Sequence, residues 1–208
     1  MKRVILLIAL LGFIFTSCTK DDVDNPTNPV SSTDYMQLQI GNFWVYENYR
    51  FDSLGNEIVI GDPDSLVITG DTLIRGKLYY KKLSVIQGYT SYLRDSSGFL
   101  VDDLGKIIFS EKDFDNILRV DTIGPNLAYV EYKMVEGDTI INIPMGSYPS
   151  LDYRGTVTSL QPDYPHGTQY TYIFWADGLG MIKSSAYYYS NPALRIGQRL
   201  KAFGHVEQ

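Results

Sequence analysis

Paired acidic side chains are the first feature of this sequence that could carry chemistry. Asp102 and Asp103 are adjacent, and Asp62 and Asp64 flank Pro63. A glycoside hydrolase needs two carboxyl groups that face each other across a cleft, one with a pKa raised by apolar surroundings. Adjacency in the sequence does not supply that geometry, and the surrounding residue types predict hydrophilic turns. A glycan-active hydrolase is therefore the least favoured functional class.

The histidines and serines also lack the partners that catalysis or metal binding requires. His166 lies among turn-forming residues, and His205 lies near the end of the chain. Neither has a second histidine, a cysteine or a carboxylate at the spacing of a metal site. No G-x-S-x-G segment is present to carry a serine nucleophile. The sequence thus predicts no catalytic residue, no metal ligand and no cofactor, and the protein is expected not to be an enzyme.

Two close glycines, Gly178 and Gly180, invite comparison with a dinucleotide-binding loop. That loop needs a third glycine and a following helix, and the sequence after Gly180 predicts a strand instead. Glycines at the start of a strand commonly supply a positive φ for a turn or bulge. A structural role is predicted for both.

Cys18, the only cysteine, follows a segment with a distinctive order of residue types. Lys2 and Arg3 precede an apolar stretch from Val4 to Phe15, which is too short to span a bilayer and is typical of a secretory signal. A cysteine at the cut site resembles the signal of bacterial lipoproteins. The resemblance implies that residues 1–17 are a signal peptide and that Cys18 carries acyl chains, palmitate among them. Several acyl chains anchor a protein stably, whereas one chain holds it only marginally.

The residues that follow Cys18 predict a flexible tether over 18–34. They are rich in Asp, Asn, Pro, Ser and Thr and hold too little apolar surface to form a core. Lys20-Asp21-Asp22 resembles the surface-export signal of lipoproteins in the Bacteroidota phylum. The resemblance implies a lipid-anchored protein of the outer membrane at the cell surface, and the periplasmic face remains the alternative.

The net charge of the chain argues against some classes of binding partner. Removal of the signal takes away two of the 18 basic residues and leaves 16 against 24 acidic ones, a formal net charge of −8. An acidic chain without a Lys/Arg cluster argues against nucleic acid as a partner. The predicted partners are the membrane, through the acyl chains, and a glycan or an envelope protein.

Residues 35–208 are predicted to form a single all-β domain. Runs of β-branched and aromatic residues alternate with turn residues at hairpin spacing. In the run from Ala128 to Met134 the even-numbered side chains are expected to face the core. Glu136-Gly137-Asp138 is expected to form a turn, and Ser110 to Leu118 is the best helix candidate. Strands are predicted at 43–51, 78–86, 89–94, 106–109, 128–135, 139–143, 155–160, 168–175, 181–189 and 194–203.

Tight turns without crossover helices predict an antiparallel meander. Aromatic residues occur on both faces of the run Phe43 to Phe51, which suggests either a strand covered on both sides or a strongly curved sheet with a concave and a convex face. A strongly curved or barrel-like sheet is favoured, and a β-sandwich is the alternative. Trp44 is expected to be buried.

Two motifs carry a broader resemblance. The segment from Ile40 to Glu47 (IGNFWVYE) and that from Phe174 to Lys183 (FWADGLGMIK) resemble a group of secreted or lipid-anchored bacterial β-proteins. Members of the group begin with GNxWxY and carry GxGxxK near their end. The resemblance implies a fold and a compartment, and it implies no established activity.

Two further patterns concern surface chemistry. In the run Tyr187-Tyr188-Tyr189 the first and third rings are expected on one face of a strand, where tyrosine serves either as a ligand contact or as strand filler. Repeated triplets of Asp, Ser or Thr, and an aliphatic residue resemble the O-glycosylation acceptor motif of exported Bacteroidota proteins, although turn-to-strand junctions produce the same triplet. The implied acceptor candidates are Ser53, Ser65, Thr72, Thr122 and Thr139.

These observations favour a non-enzymatic, lipid-anchored binding or accessory module at the outer membrane surface. The alternative is a carrier that holds an apolar ligand on the concave face of the sheet. An apolar cavity of several hundred cubic ångströms would favour the carrier. An exposed aromatic strip would favour a glycan or protein partner.

Overall fold

Twelve β-strands make up the regular structure of residues 35–163 and 167–206, the part of the chain that the computed structural model describes. These residues belong to the unit Ser31–Gln208. The strands are β1 Asn42–Phe51, β2 Glu57–Ile74, β3 Lys77–Ser84, β4 Tyr89–Asp95, β5 Phe99–Asp102, β6 Ile107–Ser110, β7 Arg119–Ile123, β8 Ala128–Ile143, β9 Gly146–Ser159, β10 Gln169–Ala176, β11 Gly180–Tyr188 and β12 Asn191–His205.

All twelve strands form one antiparallel sheet in the order β6-β5-β4-β3-β2-β1-β12-β11-β10-β9-β8-β7. Neighbours in the sheet are neighbours in the chain, apart from the pair that joins β1 to β12. The predicted all-β antiparallel meander is therefore confirmed. The sheet is single and continuous, so the β-sandwich alternative is wrong.

The sheet curves until its two edge strands, β6 and β7, come together. Lys106, directly before β6, places its Nζ 2.8 Å from an Oδ1 of Asp121 on β7. On the inside, the Phe109 ring of β6 stacks on Trp175 of β10 with centroids 4.7 Å apart. The Tyr153 hydroxyl of β9 donates to the Ile107 carbonyl at 2.9 Å. Side chains thus join the edges, and the sheet is nearly closed and barrel-like.

The inner face of this sheet carries the main hydrophobic core. Residues that are paired across two strands point to the same face of the sheet. The register therefore assigns each side chain to the inner or the outer face. Trp44, Tyr46, Ile182 and Leu200 are all buried on the inner face. In β8 the buried residues Ala128, Val130 and Met134 alternate with more accessible ones, as the period of two predicts. The remaining core residues include Met36, Leu38, Ile68, Leu93, Leu100, Phe109, Leu151, Tyr153 and Trp175.

The two sequence motifs meet in space across β12. The Trp44 indole donates to the Leu179 carbonyl at 2.7 Å, and the Tyr46 hydroxyl donates to the Met181 carbonyl at 2.6 Å. Both side chains cross β12 on the inner face. Gly178 and Gly180 hold φ values of 69° and 81° at the turn into β11, so the predicted turn role is confirmed.

A third tyrosine crosses β12 on the outer face. The Tyr49 hydroxyl donates to the Ser184 carbonyl at 3.0 Å, and its ring lies over Gly197. A Cβ on Gly197 would stand 2.5 Å from the Tyr49 ring, so only glycine leaves room for this crossing. Tyr49 has no exposed surface. Of the two explanations for aromatic residues on both faces of β1, the strongly curved sheet is confirmed. The burial of Trp44 is also confirmed.

Strand β2 was not among the predicted strands, because it contains residues that are typical of turns. Gly61, Asp62 and Pro63 fall at an irregularity where β1 pairs Asn48 with Ile60 and Tyr46 with Asp64. A bulge tolerates a proline because the missing N–H is not required there. The expectation that Asp64 lies in a hydrophilic turn is wrong, since it is 8% exposed on the inner face.

The helix candidate from Ser110 to Leu118 is also wrong, because this segment forms turns. The Ser110 hydroxyl accepts from the backbone N–H groups of Lys112 and Asp113 at 3.2 and 3.1 Å. Asp113 accepts from the N–H of Asn116 at 3.2 Å. Short polar side chains that bind nearby backbone groups compete with helix formation.

Three further expectations are corrected by irregular pairing. The predicted turn at Glu136-Gly137-Asp138 is a register shift within the continuous strand β8. Short strands β5 and β7 lie where no strand was predicted, and β9 begins at Gly146 rather than Gly155. Tyr189 does not share a face with Tyr187, because β11 ends at Tyr188 and Tyr189 packs against the inner-face residues Val130 and Val157.

Candidate ligand-binding site

A cavity of about 600 Å³ opens on the inner face of the sheet. Along β1, Trp44 lies on one side of Tyr46 and the cavity lies on the other side, next to Gln198. Its wall is mostly apolar. At its rim Ile196 and Tyr188 are 36% and 45% exposed, so the cavity is accessible from solvent. We call this space the open cavity. Its inner-face lining residues are Asn48, Ile60, Tyr132, Thr171, Ile173, Ser184, Ala186, Tyr188, Ile196 and Gln198.

Sheet register brings these distant residues together. Asn48 pairs with Gln198 and Ile60, and Ser184 pairs with Gln198 and Ile173. Five neighbouring strands therefore contribute one row of side chains to the same wall. Tyr132 of β8 completes the wall above Gly155, where a Cβ would stand 2.8 Å from the Tyr132 ring.

A second cavity of about 300 Å³ lies next to the first, and Gln198 lines both. The Gln198 Nε2 donates to Asn48 Oδ1 at 3.1 Å, which holds the amide at the junction. The lining of this second cavity is more polar than that of the first. We call it the inner chamber. Its lining includes Tyr46, Asp64, Leu66, Lys82, Ser84, Tyr89, Ser91, Leu93 and Asp102.

Asp64 is the buried carboxylate of the inner chamber, and its hydrogen bonds are supplied by its neighbours. Ser84 Oγ donates to Asp64 Oδ2 at 2.5 Å, and the Ile86 N–H donates to Oδ1 at 3.0 Å. These bonds stabilise a buried negative charge locally. They also fix the end of β3 against β2.

Lys82 is the cation of the inner chamber. It pairs with Ile68 and Ser91 and therefore points inward. Burial lowers the pKa of the Lys82 amine to about 8. Among the described residues, no carboxylate forms an ion pair with Lys82 and no group forms a hydrogen bond with its amine. The inner chamber thus contains an amine that makes no ion pair with the described residues, although the carboxylates of Asp64 and Asp102 line the same space.

The outer face carries a contrasting set of groups, which we call the outer aromatic cluster. Tyr170, Tyr172 and Phe174 follow one another along β10, with Tyr172 and Phe174 stacked at 6.2 Å. The Arg195 guanidinium lies 4.2 Å from the Phe51 ring and 5.5 Å from that of Tyr172. Arg154 also lies over Tyr172, at 5.3 Å. The arginines cover much of these rings.

Of the two histidines and Cys18, only His205 belongs to the described residues, and it lines neither cavity. Cys18 and His166 fall outside the described residues. His205 Nδ1 lies 2.8 Å from Asn42 Oδ1, at the junction of β1 and β12. In the described ranges no three His, Cys, Asp or Glu side chains are grouped as metal ligands. The same ranges hold no helix with the length and hydrophobicity of a membrane span.

The candidate O-glycosylation sites are spread over the molecule. Ser53, Thr122 and Thr139 are exposed, the first in the β1–β2 turn and the others on β7 and β8. Ser65 and Thr72 are half-buried within β2. Modification at all five remains a prediction, and the three exposed hydroxyls are the more accessible acceptors.

Lys82 is the site residue that the sequence reading missed. The signal was available, because Lys81 and Lys82 are consecutive in a predicted strand and must point to opposite faces. One of the two therefore had to face the core. Which one faced inward depended on the pairing of β3 with β2, a strand that was not predicted.

Comparison with known proteins gives two solved structures that resemble this chain. No protein-family model matches this sequence, and no curated protein matches it significantly. A crystal structure of a “putative lipoprotein” from Parabacteroides distasonis is 13% identical with a TM-score of 0.47, over 83% of this chain and 99% of that chain. A “putative exported protein with YmcC-like fold” from Bacteroides fragilis is 14% identical with a TM-score of 0.45, over 80% and 96%.

Proposed function

We propose that this protein is a lipid-anchored binding protein of the cell envelope that holds a small, largely apolar ligand inside its curved sheet. The observation that carries the proposal is the open cavity of about 600 Å³ with its mostly apolar wall. Ligand sites commonly have volumes of about 300–1,000 Å³, apolar walls and a few polar groups. The carrier alternative of the sequence analysis thus gains support.

The construction of the cavity wall supports binding rather than simple imperfect packing. The core beside it is closely filled by Trp44, Phe109, Trp175 and Leu200, each at most 4% exposed. Farther along the same strands the inner face stays open, and Ile196 lies 36% exposed at the rim. Leaving apolar surface in contact with water costs about 25 cal/mol per Å². A ligand that covers this surface recovers that cost.

The proposed role involves no chemical step on the ligand. Asp64, the carboxylate of the inner chamber, already accepts hydrogen bonds from Ser84 and Ile86. On the outer face, Glu47 and Glu57 both form ion pairs with Arg199. These acidic groups are engaged in structural contacts, which supports binding as the activity.

The proposed location rests on the sequence of the N-terminal region. Cys18 would carry the acyl chains, and residues 18–34 would connect them to the domain. The Lys20-Asp21-Asp22 segment favours the outer membrane and its external surface. A tethered binding domain in that position can collect ligands while remaining attached to the cell.

A second candidate function is binding of a glycan or a protein on the outer aromatic cluster. Tyr170 and Tyr187 are 38% and 37% exposed there. Tyrosine presents an apolar ring with a polar tip, which suits both kinds of partner. The arginines that cover Tyr172 leave less open ring surface than the cavity offers.

Filling the open cavity tests the proposal. The full chain carrying Cys18→Ser, which needs no detergent, is titrated with the neutral fluorescent probe N-phenyl-1-naphthylamine. Ala186→Trp or Ile196→Trp, each placing an indole into the cavity, should abolish the fluorescence increase. Tyr187→Ala, on the outer face, serves as the matched control and should leave it unchanged. Loss of probe binding in Tyr187→Ala, with retention in both cavity variants, would favour the outer aromatic cluster instead.

A further inference from the structure

The two adjacent cavities of the inner face differ in the polarity of their walls. The open cavity has a mostly apolar wall, whereas Lys82, Ser84 and Ser91 bring polar atoms to the inner chamber. Gln198 lines both spaces. A ligand that occupies both spaces therefore contacts mostly apolar groups in the open cavity and more polar groups in the inner chamber.

Lys82 gives the inner chamber a positive charge. With a pKa of about 8, the amine remains mostly protonated at neutral pH. A buried charge is costly unless it is paired. Asp64 and Asp102 line the same chamber, but neither forms an ion pair with Lys82. Asp64 accepts hydrogen bonds from Ser84 and Ile86. Asp102 accepts them from the N–H groups of Leu104 and Lys106.

The hydroxyl groups near Lys82 add further polar contacts. Ser91 Oγ donates to the Lys82 carbonyl at 3.4 Å, a long bond that is readily exchanged. Tyr89, which pairs with Ser84, also lines the chamber and is 60% exposed. An anion in the chamber would meet one ammonium group, these hydroxyl groups and two carboxylates that already accept hydrogen bonds from the protein. Its bond to the ammonium group would be charge-assisted and therefore stronger than a neutral one.

We propose that the ligand is a single-chain amphiphile with an anionic head group, bound with its head against Lys82 in the inner chamber and its alkyl chain in the open cavity. This inference rests on the proposed function, because it names the ligand class of the same site. The head group is a carboxylate or a phosphate, and both present oxygen acceptors to the ammonium group. Apolar burial supplies affinity, and Lys82 supplies the preference for an anion.

Competition among matched ligands tests the proposal. In the full chain carrying Cys18→Ser, bound N-phenyl-1-naphthylamine is displaced with decanoate, decyl phosphate or neutral decanol at pH 7. Both anions should compete at a concentration about tenfold lower than decanol, since a hydrogen bond to a charged group is worth about 1.5–3 kcal/mol. The ratio between decanoate and decyl phosphate then identifies which head group the chamber prefers.

Variants of Lys81 and Lys82 test which of the two lysines produces the preference for anions over decanol. Lys82→Met should remove the preference for the anions while decanol still competes, and Lys82→Arg, which keeps the charge, should retain it. Lys81→Met is the matched control, because Lys81 points to the outer face, and it should behave like wild type. In wild type the preference should also decline above pH 8, as the Lys82 amine loses its proton.

The two proposals fail in different ways. If decanol competes as well as the anions, or if Lys82→Met retains the preference, the assignment of Lys82 is overturned and the cavity remains a binding site. If neither the probe nor any of the three ligands binds, the proposed function itself is wrong.

Discussion

At the scale of single residues, Lys82 places an ionisable amine on the inner face of the sheet, where burial disfavours its charged form. An amine on the inner face opposite Ile68 loses hydration, and this burial lowers its pKa to about 8 from 10.5. Proteins usually place a carboxylate beside such a group or replace it with an apolar residue. Its retention without a partner is consistent with a role that is fulfilled only when a ligand is present.

The first prediction concerns the pH dependence of stability at Lys82. Between pH 8 and 10.5 the unfolded chain holds a proton that the folded chain has lost, so the stability contributed by this group rises with pH across that window. Lys82→Met should therefore be more stable than wild type at pH 7, by on the order of 1–3 kcal/mol. The difference should shrink as the pH rises above 8.

Urea unfolding of both proteins at several pH values measures this difference. Asp64, Asp102, Tyr46 and Tyr89 also line the inner chamber, and they are present in both proteins, so the comparison isolates Lys82. Lys81→Met should show no such change. A constant difference from pH 7 to 10 would mean that the Lys82 pKa is not lowered by burial.

The second residue-scale prediction concerns Trp44. It is 1% exposed, its indole donates to the Leu179 carbonyl, and its ring lies 5.5 Å from that of Phe203. Trp44→Ala should lower the free energy of unfolding by about 3–5 kcal/mol, because it leaves a cavity in the core and a carbonyl without its donor. Leu54→Ala, at a side chain that is 86% exposed, is the control and should change stability little. Equal urea midpoints for the two variants would contradict this assignment.

At the scale of elements, the sheet is held together by side chains that cross a neighbouring strand. Tyr46 crosses β12 on the inner face and Tyr49 crosses it on the outer face, and both donate to carbonyls of β11. The Tyr49 crossing needs a small residue beneath the ring. Gly197 meets this need under Tyr49.

The third prediction tests the crossing of Tyr49 over β12 by substituting two glycines that both lie within strands. Gly197→Ala should destabilise the domain by about 1–3 kcal/mol, because the added Cβ would displace Tyr49 from its position over β12. Gly70→Ala is the matched control: Gly70 also lies in a strand, and a Cβ there would meet nothing within 4 Å. Thermal unfolding of the two variants is the measurement. Similar melting temperatures would show that the Tyr49 crossing contributes little.

The elements that could be predicted from the sequence are those in which one periodic pattern dominates. The alternation of Ala128, Val130 and Met134 in β8 predicted which residues face the core. β2 was not predictable in this way, since Gly61 and Pro63 interrupt it and only the bulge against β1 makes them compatible with a strand. The cavity wall was beyond sequence reasoning for a related reason: Asn48, Ser184 and Gln198 become neighbours only through the register of three strands.

At the scale of the whole molecule, the pairing of β1 with β12 determines how the sheet curves. It joins two meanders, and their free edges then meet where Lys106 contacts Asp121. The sheet therefore curves around an interior instead of presenting two flat faces. The core fills part of that interior, and the rest is the space that we assign to a ligand.

The last prediction concerns the attachment of this domain to the membrane. Cys18→Ser removes the only thiol that could accept acyl chains, so the variant should leave the membrane fraction or remain as an unprocessed precursor. Ser17→Ala keeps a small residue before the cut site and should still be processed and lipidated, which makes it the matched control. Cell fractionation and labelling with a palmitate analogue measure the two effects separately. If Cys18→Ser still has the mature size and is extracted from membranes only by detergent, the anchor lies elsewhere, and the binding site would have to be placed in the envelope by another part of the chain.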